Sequence, residues 1–280
     1  IASFVQTYLY WFYSFTDEIK VPTAEYIHIL DERGFDRSKM GVIKRGFDVK
    51  VPKLSRKERR SFLDELGIRE GITLLFAGRV SRDKNIDFLT DAYKKVLKTR
   101  PEVNLVIAGN GPDLERMKKV MNGYDRVFFT GRIPNEKLLK LYTCSDIFAF
   151  PSTTDTFGMV VLESLACGLP ALVSDTGGPK EIVRDKINGH VLPVSDIGEW
   201  AGKILEIIRM IEEKDPAYAA MCERAREHVT EHYCWDEALH DILGGLKSES
   251  PSDRKIKNGK HNAVPAGTDP AHEEKEFAVA

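Results

Sequence analysis

The chain has 280 residues, 42% of them apolar, and a formal net charge of −2. That length holds one large domain or two small ones. The near-neutral balance excludes a global attraction to nucleic acid or an anionic membrane, so any anion site has to be local.

The opening IASFVQTYLYWFYSF predicts an aromatic helix. Ser3, Gln6 and Thr7 interrupt it, and it falls short of the ~20 apolar residues that a membrane span needs. The chain begins with Ile and enters this hydrophobic element at once, which points to a fragment with its upstream part missing. DEIKVPT (17–23) predicts a short strand, 24–33 a helix stopped by Gly34, and 42–44 another short strand. A charged helix follows over 53–68 and ends at Gly67.

From residue 73 the pattern is regular. Continuous apolar runs at 73–78, 104–109, 126–131, 146–152, 170–175 and 190–194 read as buried strands. Helical spacing fills the intervals at 85–98, 113–121, 135–144, 157–167 and 179–184, and returns over 196–246. Such alternation predicts an α/β fold, a Rossmann-like parallel sheet with helices on both faces. The polar stretch 247–280, rich in Ser, Pro, Gly, Lys and Glu, reads as a disordered tail. Cys144, Cys167, Cys222 and Cys234 show no CxxC spacing. Zinc and dithiol motifs are therefore unsupported, and small buried thiols in a reducing, cytosolic compartment are expected.

Open parallel sheets bind ligands beyond the carboxyl ends of their strands. At that edge this sequence repeatedly places glycine, cations and small polar residues: Gly78-Arg79, Asn110-Gly111, Gly131-Arg132, Thr153 to Gly158 and Thr176-Gly177-Gly178. Arg79 and Lys84 are candidate ligands for a diphosphate, or else two solvated surface charges. The loop entering the helix near Phe157-Gly158 offers amide N–H groups and a helix dipole to an anion, with Gly158 removing a Cβ from the ligand's path. Asp155 is either a ligand group or, with Thr156, a helix cap. Glu163 lies inside the apolar run MVVLESLA and needs hydrogen-bond donors. Ligand hydroxyls fit, and an internal Arg or backbone partner is the alternative. Spacing alone also permits Asp155 and Glu163 to act as a glycosidase pair. A dinucleotide fingerprint at Gly109-x-Gly111 lacks its third glycine, because Leu114 stands there. The cations and helix start suit an elongated phosphorylated ligand with hydroxyls at both ends, the layout of a nucleotide sugar.

GRVSRDKN, VIAGNGPDLERM, FFTGRIP, PSTTDTFGMVVLESLACGLP and VSDTGGPKEIV together resemble the donor domain of retaining GT-B glycosyltransferases. The resemblance is to the large family containing bacterial mannosyl- and glucosyltransferases. It implies that 1–50 are the end of an N-terminal acceptor domain and linker, and that 51–246 form the nucleotide-sugar domain with C-terminal helices. It further implies transfer of mannose or glucose from a GDP- or UDP-sugar to an acceptor hydroxyl in lipid or polysaccharide synthesis. Arg79 and Lys84 would hold the diphosphate and stabilise the leaving group, with Asp155 beside the sugar. Asp155 departs from the family's Glu by one methylene. Gly78, Asn110, Gly111, Arg132 and Ile133 would border the donor near its base. Phe157, Gly158, Met159 and Val160 would present backbone amides, and Glu163 would bind the ribose hydroxyls. The resemblance implies no metal and no cofactor beyond the UDP- or GDP-hexose donor. Partners would be the nucleotide sugar and an acceptor lipid or glycan, with no nucleic acid, at a cytoplasmic site that extends to peripheral contact with the inner face of the membrane. The alternative is a catalytically silent sugar-nucleotide-binding or interaction module.

Overall fold

The aromatic opening forms helix α1 (Ala2–Ser14), followed by β1 (Ile19–Val21), α2 (Ala24–Glu32), a single 3-10 turn at Arg37–Lys39 and β2 (Met40–Val42). These come from a computed structural model that describes residues 2–43, 45–48, 50–236 and 238–239. β1 and β2 pair in parallel, Ile19 with Met40 and Val21 with Val42, as a two-stranded sheet of their own. The strand expected at 42–44 therefore sits two residues earlier. β1 stops before Pro22, which has no N–H to continue a ladder. On α1, Tyr10 and Tyr13 pack on Phe35, while Phe4, Tyr8, Trp11 and Phe12, and Phe15 just after the helix, are exposed.

The rest is a wound sheet. α3 (Arg56–Glu65) starts at a reciprocal cap in which Ser55 and Glu58 satisfy each other's backbone N–H. Then follow β3 (Thr73–Ala77), α4 (Ile86–Leu97), β4 (Asn104–Ala108), α5 (Leu114–Val120), β5 (Val127–Gly131), α6 (Asn135–Cys144) and β6 (Ile147–Phe150). After them come α7 (Met159–Ala166), β7 (Ala171–Ser174), α8 (Pro179–Ile182), β8 (Gly189–Leu192), α9 (Ile197–Glu212) and α10 (Pro216–His232). The six strands run parallel in the order β5-β4-β3-β6-β7-β8, flanked by helices. Every residue of β3, β4, β6 and β7 is buried, so these strands read as unbroken apolar runs. Full burial of a Leu, Ile, Val or Phe contributes about 1.5–3 kcal/mol each. Trp200, Tyr93, Tyr142, Phe76 and Phe148 are the largest side chains sealed inside.

Two boundaries shift, one at a glycine and one at a proline. The helix expected from 157 begins at Met159, because Gly158 takes φ 100, outside the right-handed helix. The strand expected over 190–194 ends at Leu192, ahead of Pro193. The helical stretch expected over 196–246 is broken at Lys214, at φ 53, before Pro216 starts α10. Beyond α10 the chain returns to the front segment: Phe47 N–H donates to Tyr233 O at 2.7 Å, and the Trp235 ring lies against Gly46. The expected tail over 247–280 lies outside the described residues. No helix among the described residues is long and apolar enough to cross a membrane.

The order of the sheet reverses between β3 and β6. That reversal opens a crevice at the strand ends, where a ligand meets loops from both halves.

Candidate functional site

A cleft of about 440 Å³ opens at this edge, lined by Gly78 and Arg79 after β3, Ala108, Gly109 and Asn110 after β4, Arg132 and Ile133 after β5, and Leu138 and Val160 from α6 and α7. Six of the residues expected from sequence thus meet: Gly78, Arg79, Asn110, Arg132, Ile133 and Val160. The sheet ladder runs on into the loops and holds them. Gly78 N–H donates to Ala108 O, Val80 N–H to Asn110 O and Gly109 N–H to Gly131 O, each at 2.9–3.0 Å. Arg79 and Arg132 are exposed, and neither is paired with a carboxylate among the described residues. The cleft therefore offers two guanidiniums without a salt-bridge partner among the described residues, Arg79 with Asp83 near enough to feel its charge, beside the apolar side chains of Ile133, Leu138 and Val160.

Lys84 stands apart from that lining. It closes a 3-10 turn (Arg82–Lys84) and is committed to Asp155, Nζ to Oδ2 at 2.6 Å, across 71 residues of sequence. Ser152 Oγ donates to the same carboxylate oxygen at 2.8 Å. The turn is tied to the loop after β6 at two more points: Asn85 Nδ2 donates to Pro151 O at 2.9 Å, and Thr154 Oγ1 to Asp83 O at 3.1 Å. On its other side, Asp113 accepts from Arg82 N–H at 2.9 Å, while Arg116 forks onto Asp87 and reaches Asp113. The cation is held in a fixed place, with an acid already on it.

α7 begins with no side-chain cap. Asp155 is engaged by Lys84 and Ser152, so the capping alternative for Asp155 and Thr156 is set aside. The first-turn amides of Met159 and Val160 have no intrahelical acceptor. The reason for Gly158 also changes. Its φ of 100 disfavours any L residue, and a Cβ there would lie 2.8 Å from Pro179 Cγ. Backbone and packing require this glycine, whatever approaches from the cleft. Phe157 turns away: its side chain is buried, edge-on to Tyr233, with the Arg45 guanidinium 4.9 Å over its ring. Only its backbone remains for the expected part. Met159 is partly exposed, and Gly111 receives its neighbour's side chain, Asn110 Oδ1 accepting from Gly111 N–H at 2.8 Å.

Glu163 finds a partner other than Arg or backbone. Tyr142 Oη donates to its Oε2 at 3.1 Å, and Tyr142 itself is buried. Glu163 lies one turn along α7 from Val160, and Tyr142 one turn along α6 from Leu138, so the pair continues the cleft's apolar floor inward. Burial pushes the Glu163 carboxyl above its ordinary range, and the Tyr142 hydrogen bond opposes this. Oε1 has no protein partner among the described residues.

Sequence reasoning missed Tyr142, Leu138 and Ser152. Leu138 and Tyr142 sit four residues apart on one helix, a signal for a shared face, yet nothing in the sequence says which face meets α7. A second cleft of about 550 Å³, near Lys53, Arg59, Thr143, Cys167 and Arg226, contains none of the expected residues.

Comparison with known proteins gives the family and the fold. Residues 58–228 match the family model described as "Glycosyl transferases group 1". An uncharacterised glycosyltransferase of Methanocaldococcus jannaschii is 35% identical over 69% of this chain and 50% of its own length. The alpha-monoglucosyldiacylglycerol synthase of Streptococcus pneumoniae is 34% identical over 56% of this chain and 36% of its own. Among solved structures, Anabaena Alr3699/HepE in complex with UDP and glucose superposes with a TM-score of 0.73 at 22% identity, covering 84% of this chain and 64% of that one. The chain spans about half the length, or less, of these curated relatives.

Proposed function

Since this chain belongs to the glycosyl transferases group 1 family and has the GT-B donor-domain architecture, we propose that it supplies the donor site of a retaining glycosyltransferase that uses a UDP- or GDP-hexose. The observation that carries the reading is the 440 Å³ cleft at the sheet's switch point, with Arg79 and Arg132, neither in a salt bridge among the described residues, beside an apolar floor. An elongated anion with one flat, weakly polar end fits that lining. The base lies among Gly78, Asn110, Arg132, Ile133 and Leu138, and the ribose hydroxyls donate to Glu163. The diphosphate meets Arg79, Lys84 and the first amides of α7, and the hexose ends beside Asp155.

In transfer, the bond from the sugar's anomeric carbon to the β-phosphate oxygen breaks. A new bond forms to the acceptor oxygen on the same face, and the acceptor's proton passes to the departing β-phosphate oxygen. Negative charge develops on the departing diphosphate. Arg79, Lys84 and the helix N-terminus stabilise it without a metal ion, because they are oriented before the charge appears. Acceptor recognition is proposed for the part of the relatives' length that this chain does not span, together with residues 1–50. A lipid acceptor is in keeping with the name of the pneumococcal relative, an alpha-monoglucosyldiacylglycerol synthase; a glycan acceptor and a site at the cytoplasmic face of a membrane are the other parts of the proposal.

The test is a donor screen with the full-length protein, followed by NMR of the product's anomeric linkage. Transfer from one UDP- or GDP-hexose with retained configuration is expected. An inverted product would contradict the retaining assignment. Donor binding without transfer to any lipid or glycan acceptor would favour a silent sugar-nucleotide module.

A further inference from the structure

The seam between the front segment and the sheet is organised around Glu181. Helix α2 begins after Thr23, whose extended backbone (φ −149, ψ 159) suits an N-cap, yet its side chain makes no capping hydrogen bond. Two oxygens of Glu181 take that role from the far side of the seam. Oε2 accepts from Ala24 N–H at 2.9 Å and Oε1 from Glu25 N–H at 2.7 Å. A carboxylate suits this place because it satisfies two orphan amides at once and meets the positive end of the helix. Thr23, freed from capping, donates its hydroxyl to Thr156 O at 3.1 Å. Lys180 adds an ion pair to Glu25 at 2.8 Å.

The same short element holds the loop after β6. Gly178, the residue before α8, donates its N–H to Asp155 O at 2.8 Å, and Glu181 N–H closes the turn onto Gly178 O at 3.0 Å. The fit is tight: a Cβ on Gly178 would overlap the Thr156 carbonyl. Four residues, 178–181, therefore carry the Asp155 backbone at one end and the start of α2 at the other. The Asp155 carboxylate continues the line to Lys84.

We propose that Glu181 is a positioning residue for the sugar end of the donor site: by capping α2 across the seam it fixes the Gly178 turn and, through it, the loop that bears Asp155. This rests on the reading of Asp155 as the residue beside the donor sugar. Glu181 touches no part of the 440 Å³ cleft, so its effect falls on the sugar and spares the nucleotide.

The experiment pairs amide hydrogen exchange with titration of UDP, UDP-glucose, GDP and GDP-mannose. Glu181→Ala removes the acceptors of Ala24 and Glu25, whose exchange must quicken for that reason alone. The proposal further expects exchange to quicken about tenfold at Gly178 and Thr154, with which the Glu181 carboxylate makes no hydrogen bond among the described residues. UDP or GDP affinity should stay within about twofold, while the preference for the sugar nucleotide over the bare nucleotide falls about five- to tenfold. Glu181→Gln keeps one acceptor and should recover part of both effects. Lys180→Ala removes only the ion pair and should leave Gly178 as in the parent. Quickened exchange confined to Ala24 and Glu25, or an unchanged sugar preference, would overturn the proposal. Failure of the unaltered chain to bind any of the four nucleotides would instead sink the donor-site reading on which it rests.

Discussion

Asp155→Asn separates the two duties of Lys84. The pair joins Nζ and Oδ2 at 2.6 Å, with the Lys84 side chain 16% exposed and that of Asp155 26% exposed. At that distance the gross attraction is about 6 kcal/mol for an effective dielectric near 20, and most of it is returned as lost hydration. Exposed pairs net about 0–1 kcal/mol, and breaking a buried pair costs about 3–5 kcal/mol. This half-sheltered pair falls between, at about 2 kcal/mol. Asp155→Asn should therefore lower Tm by about 4–8 °C. It should also tighten UDP or GDP binding about tenfold, because the diphosphate no longer competes with Asp155 for Lys84 and one like charge is gone. Uridine and guanosine should bind as before, and the gain should shrink in high salt. Calorimetry with the four ligands measures this directly. An unchanged diphosphate affinity, or an equal gain for the nucleosides, would refute the assignment of Lys84 to phosphate.

Two further substitutions test the site's frame. Tyr142→Phe removes the donor to Glu163 and should weaken uridine or guanosine binding by about 1 kcal/mol, roughly fivefold. Glu163 has a raised carboxyl in the fold. Its carboxylate is lost as pH falls through that raised value, and nucleoside affinity falls with it, sooner than for an ordinary Glu. Tyr142→Phe removes an opposing hydrogen bond and should move the fall to still higher pH; a titration of affinity against pH identical to the parent would contradict this. The stability term has the opposite sign. A carboxyl whose folded pKa is raised favours the fold when protonated, and that contribution is lost as pH rises through the folded value. Gly158→Ala should cost about 2–4 kcal/mol in chemical unfolding, from the positive φ and the Pro179 contact together. A loss under 0.5 kcal/mol, a roughly neutral surface value, would show that the turn relaxes freely.

The strands were legible because β3, β4, β6 and β7 are buried on both faces and can hold little but apolar residues. The shared edge followed from the parallel arrangement, and with it Gly78, Arg79, Asn110, Arg132, Ile133 and Val160. The pairings made across the sheet were not legible. Lys84 meets Asp155 because β3 and β6 are neighbours, a consequence of strand order that local patterns do not encode. Glu163 was recognised as an anomaly in an apolar helix, but its partner Tyr142 depends on how α6 faces α7. Gly158 was noticed for a ligand's approach alone, and the further requirements of its φ and of Pro179 come from chain path and tertiary packing. Phe157 shows the reverse: it stands in the expected turn, and its side chain serves the seam.

In the proposed function, this edge binds a nucleoside diphosphate through Arg79 and Lys84. Calorimetric titration of UDP and GDP against the chain and its Arg79→Ala, Lys84→Ala double variant tests it most directly, with the matching nucleosides as controls. Saturable binding of at least one diphosphate is expected, lost by about a hundredfold or more in the double variant while the nucleoside is unaffected. No heat from either diphosphate, or equal affinity in parent and double variant, would contradict it.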